Sequence, residues 1–164
     1  MPDAELTILG GDEHVDWTRD DPLFARPGIE VLGHRDDVPT LLAACTLTLN
    51  PLRNIRGSAV KLVESLGAGR LCISTADGAR GMPLATEALV VVDDVAAMAD
   101  PIVALLRDDA RRQRAEGHAY DKYRDRERRQ CLWRLREQSR VLSDHSARCS
   151  VEIPRTRVVA EAAP

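Results

Sequence analysis

The chain has 164 residues, enough for one domain with a real core, and carries a net charge of −3 with 30% charged residues. That balance excludes the global basic field of a nucleic-acid binder, and no apolar run approaches the roughly 20 residues of a membrane span. Aromatics make up only 3% of the chain against 44% hydrophobic residues, so its core must be built from Leu, Val, Ile and Ala, a mix suited to buried parallel strands.

Five strand-length apolar runs follow one another: Leu6–Leu9, Ile29–Leu32, Thr46–Leu49, Leu71–Ser74 and Leu89–Val92. Helical patterns alternate with them. Asp36 or Asp37 is placed to cap a helix carrying Val38, Leu41 and Leu42. A second helix runs from about Ser58 to Ala68 and is expected to bury Val60, Val63 and Gly67. Asp93 or Asp94 is placed to cap a third, with Met98, Ile102, Leu105 and Leu106 inward. Such alternation predicts an α/β fold, a Rossmann-like parallel sheet with helices on both faces.

From Asp109 the chain turns arginine-rich and helical, over Ala110–Tyr123 and then Arg126–Leu142. Glu127 and Glu137 interleave with the arginines, which reads as a solvated face rather than a nucleic-acid patch; Trp133 is either core or part of a docking surface. The expected division is a domain over 1–143 followed by a flexible tail over 144–164.

The stretch Asn50–Gly69 carries the chemistry. An apolar run ends in Asn50-Pro51, a basic glycine-containing turn follows, and a helix then starts without bulky side chains. Unpaired N–H groups, the positive end of a helix dipole and cations are brought together there, as a phosphate site requires. Lys61 and Glu64, at i and i+3, share a helix face. They suit a nucleotide-sugar, the cation near phosphate and the carboxylate near ribose hydroxyls. The plainer alternative is a surface ion pair worth about 0.3 kcal/mol.

Cys45, Cys72, Cys131 and Cys149 are scattered, with no C-x-x-C spacing, and read as free thiols; Cys45 and Cys72 fall beside or within apolar runs. The pairs Asp20-Asp21, Asp36-Asp37, Asp93-Asp94 and Asp108-Asp109 sit where loops meet helices, so capping accounts for them without a cation. No metal and no bound cofactor is expected.

With these elements in place, the sequence resembles the C-terminal, donor-binding half of a GT-B glycosyltransferase of the family 4 or group 1 type. The residues that carry the resemblance are Pro2–Gly10, Ile29–Val38, Pro51-Leu52-Arg53, Gly57–Leu66 and Ser74–Gly81, in that order. The resemblance implies transfer of a sugar from a nucleotide-sugar, UDP- or GDP-linked, to a glycan, lipid or small-molecule acceptor. It implies that Glu64 accepts from the ribose hydroxyls. Lys61, Arg53 and the amides of Gly57, Ser58 and Ala59 would hold the diphosphate, and backbone around Gly33, His34 and Arg35 would meet the base. Many relatives carry a glutamate where this chain has Arg56, which is placed instead to serve the phosphates. No catalytic residue can be assigned. The expected location is cytoplasmic, with peripheral contact at the inner membrane surface compatible with it.

The family's domain begins with a strand, a glycine turn and a helix that would all precede Met1. That strand lies at the centre of a sheet ordered 3-2-1-4-5-6. The expectation is therefore a fragment that lacks its partner N-terminal GT-B domain, with Leu6–Leu9 and Thr46–Leu49 bordering a gap or closing on each other. The alternative function is a non-catalytic nucleotide-binding or interaction domain left from the same fold. A receiver-like module is a third reading, but it would need a phosphorylatable Asp where the third run ends in Asn50-Pro51.

Overall fold

The computed structural model describes residues 4–54, 60–81, 87–116 and 157–161. Its strands are β1 (Glu5–Leu9), β2 (Ile29–Leu32), β3 (Leu47–Asn50), β4 (Cys72–Thr75), β5 (Leu89–Val92) and β6 (Arg157–Glu161). The helices are α1 (Asp12–Thr18), α2 (Val38–Ala44), α3 (Val60–Gly67) and α4 (Ala99–Arg107), the last preceded by a 3₁₀ turn over Ala96–Met98. Residues 109–116 are also helical; the expected Arg126–Leu142 helix and Trp133 lie outside the described residues.

Six strands form one all-parallel sheet in the order β2-β1-β6-β3-β4-β5. The α/β architecture is the one expected, and it fits a partial GT-B domain. Its centre is not as expected. β1 and β3 neither border a gap nor close on each other, because β6 lies between them. All five β6 residues pair with β1, Leu9 standing opposite Glu161, and Val158 to Ala160 pair with Leu47 to Leu49 of β3. Residues 157–161 thus belong to the sheet rather than to a fraying tail. The adjacent β-branched Val158 and Val159 account for this. Successive strand residues face opposite sides of a sheet. Val158 joins the cluster containing Leu62 and Leu66 of α3 with Leu105 and Leu106 of α4, and Val159 joins Leu9, Leu42 and Cys45. Each fully buried valine is worth about 1.5–3 kcal/mol.

β4, Cys-Ile-Ser-Thr, is buried at every position. Such burial on both faces is what a central parallel strand requires. α3 buries Leu62, Ser65, Leu66 and Gly67. Val60 is instead exposed and Val63 only partly buried, so the helix turns its leucine stripe inward rather than the valine-based one expected. Gly69, at φ 76°, ends the helix: its N–H reaches Leu66 O at 3.0 Å and the Arg70 N–H reaches Ser65 O at 3.2 Å. That pair of bonds is a Schellman cap, and the left-handed backbone favours glycine. Arg70 then ties three helices. It bonds Glu116 at 2.9 Å and the Ala43 carbonyl at the end of α2.

Capping follows the aspartate pairs in part. Asp94 accepts the Ala97 N–H at 3.0 Å, and Asp108 accepts the Arg111 N–H at 2.9 Å. Asp37 precedes α2, but its carboxylate makes no cap bond and pairs with Arg35 instead. Cys45 and Cys72 are free and buried, as expected for small core residues.

Candidate functional site

Parallel strands deliver all their carboxyl ends to one edge of the sheet. The chain leaves β1 towards β2 on one side and leaves β3 towards β4 and β5 on the other. The direction of winding therefore changes across β6, and a crevice at such a switch point is where open α/β sheets take ligands. Three described stretches lie at that end of the sheet: Gly10-Gly11 after β1, Gly33–Asp37 after β2, and Pro51–Asn54 after β3.

The first two loops are stitched together. Asp12, opening α1, accepts the His34 N–H at 2.8 Å, and the Gly10 N–H reaches Leu32 O at 3.2 Å. The approach is close: a Cβ on Gly33 would stand 2.4 Å from Asp12 Oδ1, so a larger residue would push aside the carboxylate that holds the His34 N–H. His14 accepts the Gly11 N–H through Nδ1 at 3.1 Å and lies near Trp17, ring centroids 5.0 Å apart. The His34 ring points to an exposed Asp36, Nε2 to Oδ1 3.4 Å.

Arg35 is committed to Asp37. Two parallel bonds of 2.8 Å join the guanidinium to the carboxylate. The Asp37 hydrogen bond raises the Arg35 pKa, and the Arg35 hydrogen bond holds the Asp37 carboxyl below its ordinary value. Arg35 thus offers a ligand its backbone more readily than its charge.

On the other side, a buried polar lattice fixes where β3 and β4 end. Asn50, only 2% exposed, donates through Nδ2 to Ser74 Oγ at 3.0 Å and to Gly78 O at 3.1 Å. A Cβ on Gly78 would stand 2.6 Å from that same nitrogen. Thr75 donates its hydroxyl to Leu52 O and accepts the Gly78 N–H at 3.1 Å. Asp77 accepts the Asn54 N–H at 2.9 Å, and Arg80 approaches its other oxygen at 3.5 Å. Asn54 has φ 51°, a left-handed conformation that asparagine tolerates. The chain that leads to α3 is therefore held at two points by the turn after β4.

Matching to the group 1 glycosyl transferases extends over residues 1–108. The chain belongs to that family. No curated protein matches it. The matched span of this glycosyltransferase domain holds β1 to β5 and α1 to α4, and β6 lies beyond it.

Of the residues expected to bind donor, Gly33, His34 and Arg35 sit at the carboxyl end of β2, and Arg53 is exposed after β3. Lys61 and Glu64 are half-buried on α3, off its leucine stripe, and both carry polar or electrostatic interactions of their own. Arg56, Gly57, Ser58 and Ala59 lie outside the described residues. β2 and β3 are three strand spacings apart, about 14 Å at roughly 4.8 Å each, the scale of a nucleotide rather than of one phosphate.

Sequence reasoning missed Asp12, Asn50, Thr75 and Asp77 as organisers of these loops. Asn50 and Asp77 fell within stretches already singled out, but their contacts reach 23 or more residues along the chain. The signal available for Asp12 was a Gly-Gly turn followed by an acidic helix start. A surface depression of about 320 Å³, lined by Glu5, Leu6, Thr7, Gly28, Ile29 and Glu30, lies at the amino ends of β1 and β2, away from this crevice. Among the described residues no group of three or more His, Cys, Asp or Glu could hold a metal, and no helix is long and apolar enough to cross a membrane.

Proposed function

We propose that this glycosyltransferase chain supplies the nucleotide-sugar-binding half of its enzyme, the donor lying across the crevice above β6. The observation that supports this reading most is the placement of Gly33–Arg35 and of Arg53 with α3 on opposite sides of the switch point. Backbone at Gly33–Arg35 meets the base, Glu64 accepts from the ribose hydroxyls, and Lys61 with Arg53 and Arg56 holds the diphosphate. The Gly57, Ser58 and Ala59 amides join them at the start of α3.

Glycosyl transfer breaks the bond between the anomeric carbon and the diphosphate oxygen. Positive charge develops on the sugar and negative charge on the departing nucleoside diphosphate. Cations and amide donors aimed at the phosphates stabilise the second of these charges, and do so more in the transition state than in the bound donor. The acceptor, a glycan, lipid or small molecule, and the groups that activate it belong to a second GT-B domain in this reading. Contact with the inner membrane surface would follow if the acceptor is a lipid.

Calorimetric titration of the chain with UDP, GDP and ADP tests the proposal. One nucleotide should bind, and Lys61→Ala and Glu64→Ala should each weaken it by about 1–3 kcal/mol, the scale of a lost charged hydrogen bond. Circular dichroism of both variants separates loss of the site from loss of the fold. Absence of binding by all three nucleotides would sink the assignment. Full turnover by the isolated chain would refute the division of labour between two domains.

A further inference from the structure

Arg53 is exposed beyond the carboxyl end of β3, and among the described residues its guanidinium has no hydrogen-bond or ion-pair partner. Its backbone, by contrast, is held on both sides. The Leu52 carbonyl, in the peptide unit before Arg53, accepts the Thr75 hydroxyl. The Asn54 N–H, in the unit after it, is accepted by Asp77 Oδ2 at 2.9 Å. Peptide units are planar, so pinning the two that flank one Cα sets both of its soft dihedrals and the direction in which its side chain leaves. Both anchors stand on the turn after β4, and that turn is itself tied down. Asn50 Nδ2 donates to Gly78 O at 3.1 Å, the Gly78 N–H reaches Thr75 Oγ1 at 3.1 Å, and the Ala79 N–H reaches Thr75 O at 3.0 Å. Asn54 keeps φ 51° under the Asp77 bond, in a region that side chains seldom adopt.

Arg35, on the other side of the crevice, shows the reverse arrangement, its guanidinium already taken up by the Asp37 carboxylate. We propose that Thr75 and Asp77 are positioning residues that act through Arg53, presenting its guanidinium to the diphosphate of the donor. The assignment rests on the donor-site reading above and brings into that site a turn to which it gave no part. Fixing the base of a long, flexible stem lowers the entropy lost when the tip meets a ligand. Asp77 carries the wrong charge to hold a phosphate itself, so its part is to hold Asn54 and not the ligand.

Calorimetric titration of the full-length chain with UDP, GDP, ADP and inorganic pyrophosphate tests the clamp. Asp77→Ala removes one anchor and should weaken the bound diphosphate roughly tenfold. Asp77→Asn keeps an oxygen that accepts the same N–H and should stay within about threefold of wild type. Thr75→Ser keeps and Thr75→Val removes the hydroxyl of the other anchor, and the valine variant should bind more weakly than the serine one. Arg53→Ala should weaken binding as well, and adding Asp77→Ala to it should cause no further loss, because both act through one group. Losses that multiply in the double variant overturn the proposal, as does unchanged binding by Asp77→Ala. Equal loss in Asp77→Asn and Asp77→Ala also overturns it, since the effect would then belong to the charge and not to the anchor. If pyrophosphate binds and no nucleotide does, the donor-site reading falls, while the same cycle run on pyrophosphate still decides the clamp. If none of the four binds, both fall together.

Discussion

β4 and β2 each lie two places from β6, on opposite sides, and they are packed very differently. All four residues of β4 are buried, and none of β2 is. One face of the sheet carries a cluster with residues from β3, β4, β5, α3 and α4, together with Val158 of β6. The cluster on the other face has Leu9, Leu42, Cys45 and Val159 at its centre, the last again from β6. A strand from a distant part of the chain therefore gives one valine to each face, a larger share of the smaller cluster than of the larger. The proposed phosphate contacts lie on the β4 half of the sheet and the base contacts on the β2 half. A ligand bound across the crevice joins the two, and its binding energy falls partly on the side with least packing of its own.

The sharpest way to break this comparison is Val159→Asp, which places an unpaired carboxylate at a position 1% exposed. It should destabilise by about 3–5 kcal/mol. It should also lower the urea m-value if β1 and β2 come loose while β3–β5 persist. A single cooperative transition with unchanged m would show that the halves fold as one. Next comes a matched pair, Leu62→Ala on α3 and Leu42→Ala on α2, both fully buried leucines. Each should cost about 2–5 kcal/mol by urea unfolding, with Leu62 the larger because more neighbours surround the void and fewer can relax into it. Equal costs would argue that the two faces are equally well packed.

The smallest effect concerns Asp37 on the weaker side. Its carboxyl is held below the ordinary value by the Arg35 hydrogen bond, so the folded state binds its proton less readily than the unfolded chain does. The stability it adds is present above the ordinary carboxylate range and is lost as pH falls through the lowered folded value. Asp37→Asn should lower Tm slightly at pH 7, and the gap from wild type should close as the pH falls below the ordinary carboxylate range. A gap that persists in acid would mean that the asparagine disturbs α2 by some other route.

Much of this fold can be read from short-range pattern. β2 and β5 run over the same residues that the apolar runs mark, and the other three of the five expected strands shift by one residue at one or both ends. Those signals are local, since burial on a parallel sheet needs only four or five consecutive apolar residues. α1 was not foreseen, because its seven residues bury none of their side chains and so carry no apolar stripe. β6 was missed for a related reason: Val158, Val159 and Ala160 are too short a run to stand out from a polar stretch, and their burial comes from β1 and β3, more than a hundred residues away. The site divides in the same way. Lys61 and Glu64 are legible through helical spacing, whereas Asn50, Thr75 and Asp77 act through bonds that only the folded sheet brings together.

The late position of β6 in the chain also bears on how a ribosome must deliver this molecule. The other five described strands are translated before it, so the edges of β1 and β3 that β6 covers in this structure leave the exit tunnel before β6 does. Uncovered parallel edges are templates for association with other nascent chains. The interval before residue 161 emerges is when a holding chaperone would matter most to the yield of this arrangement.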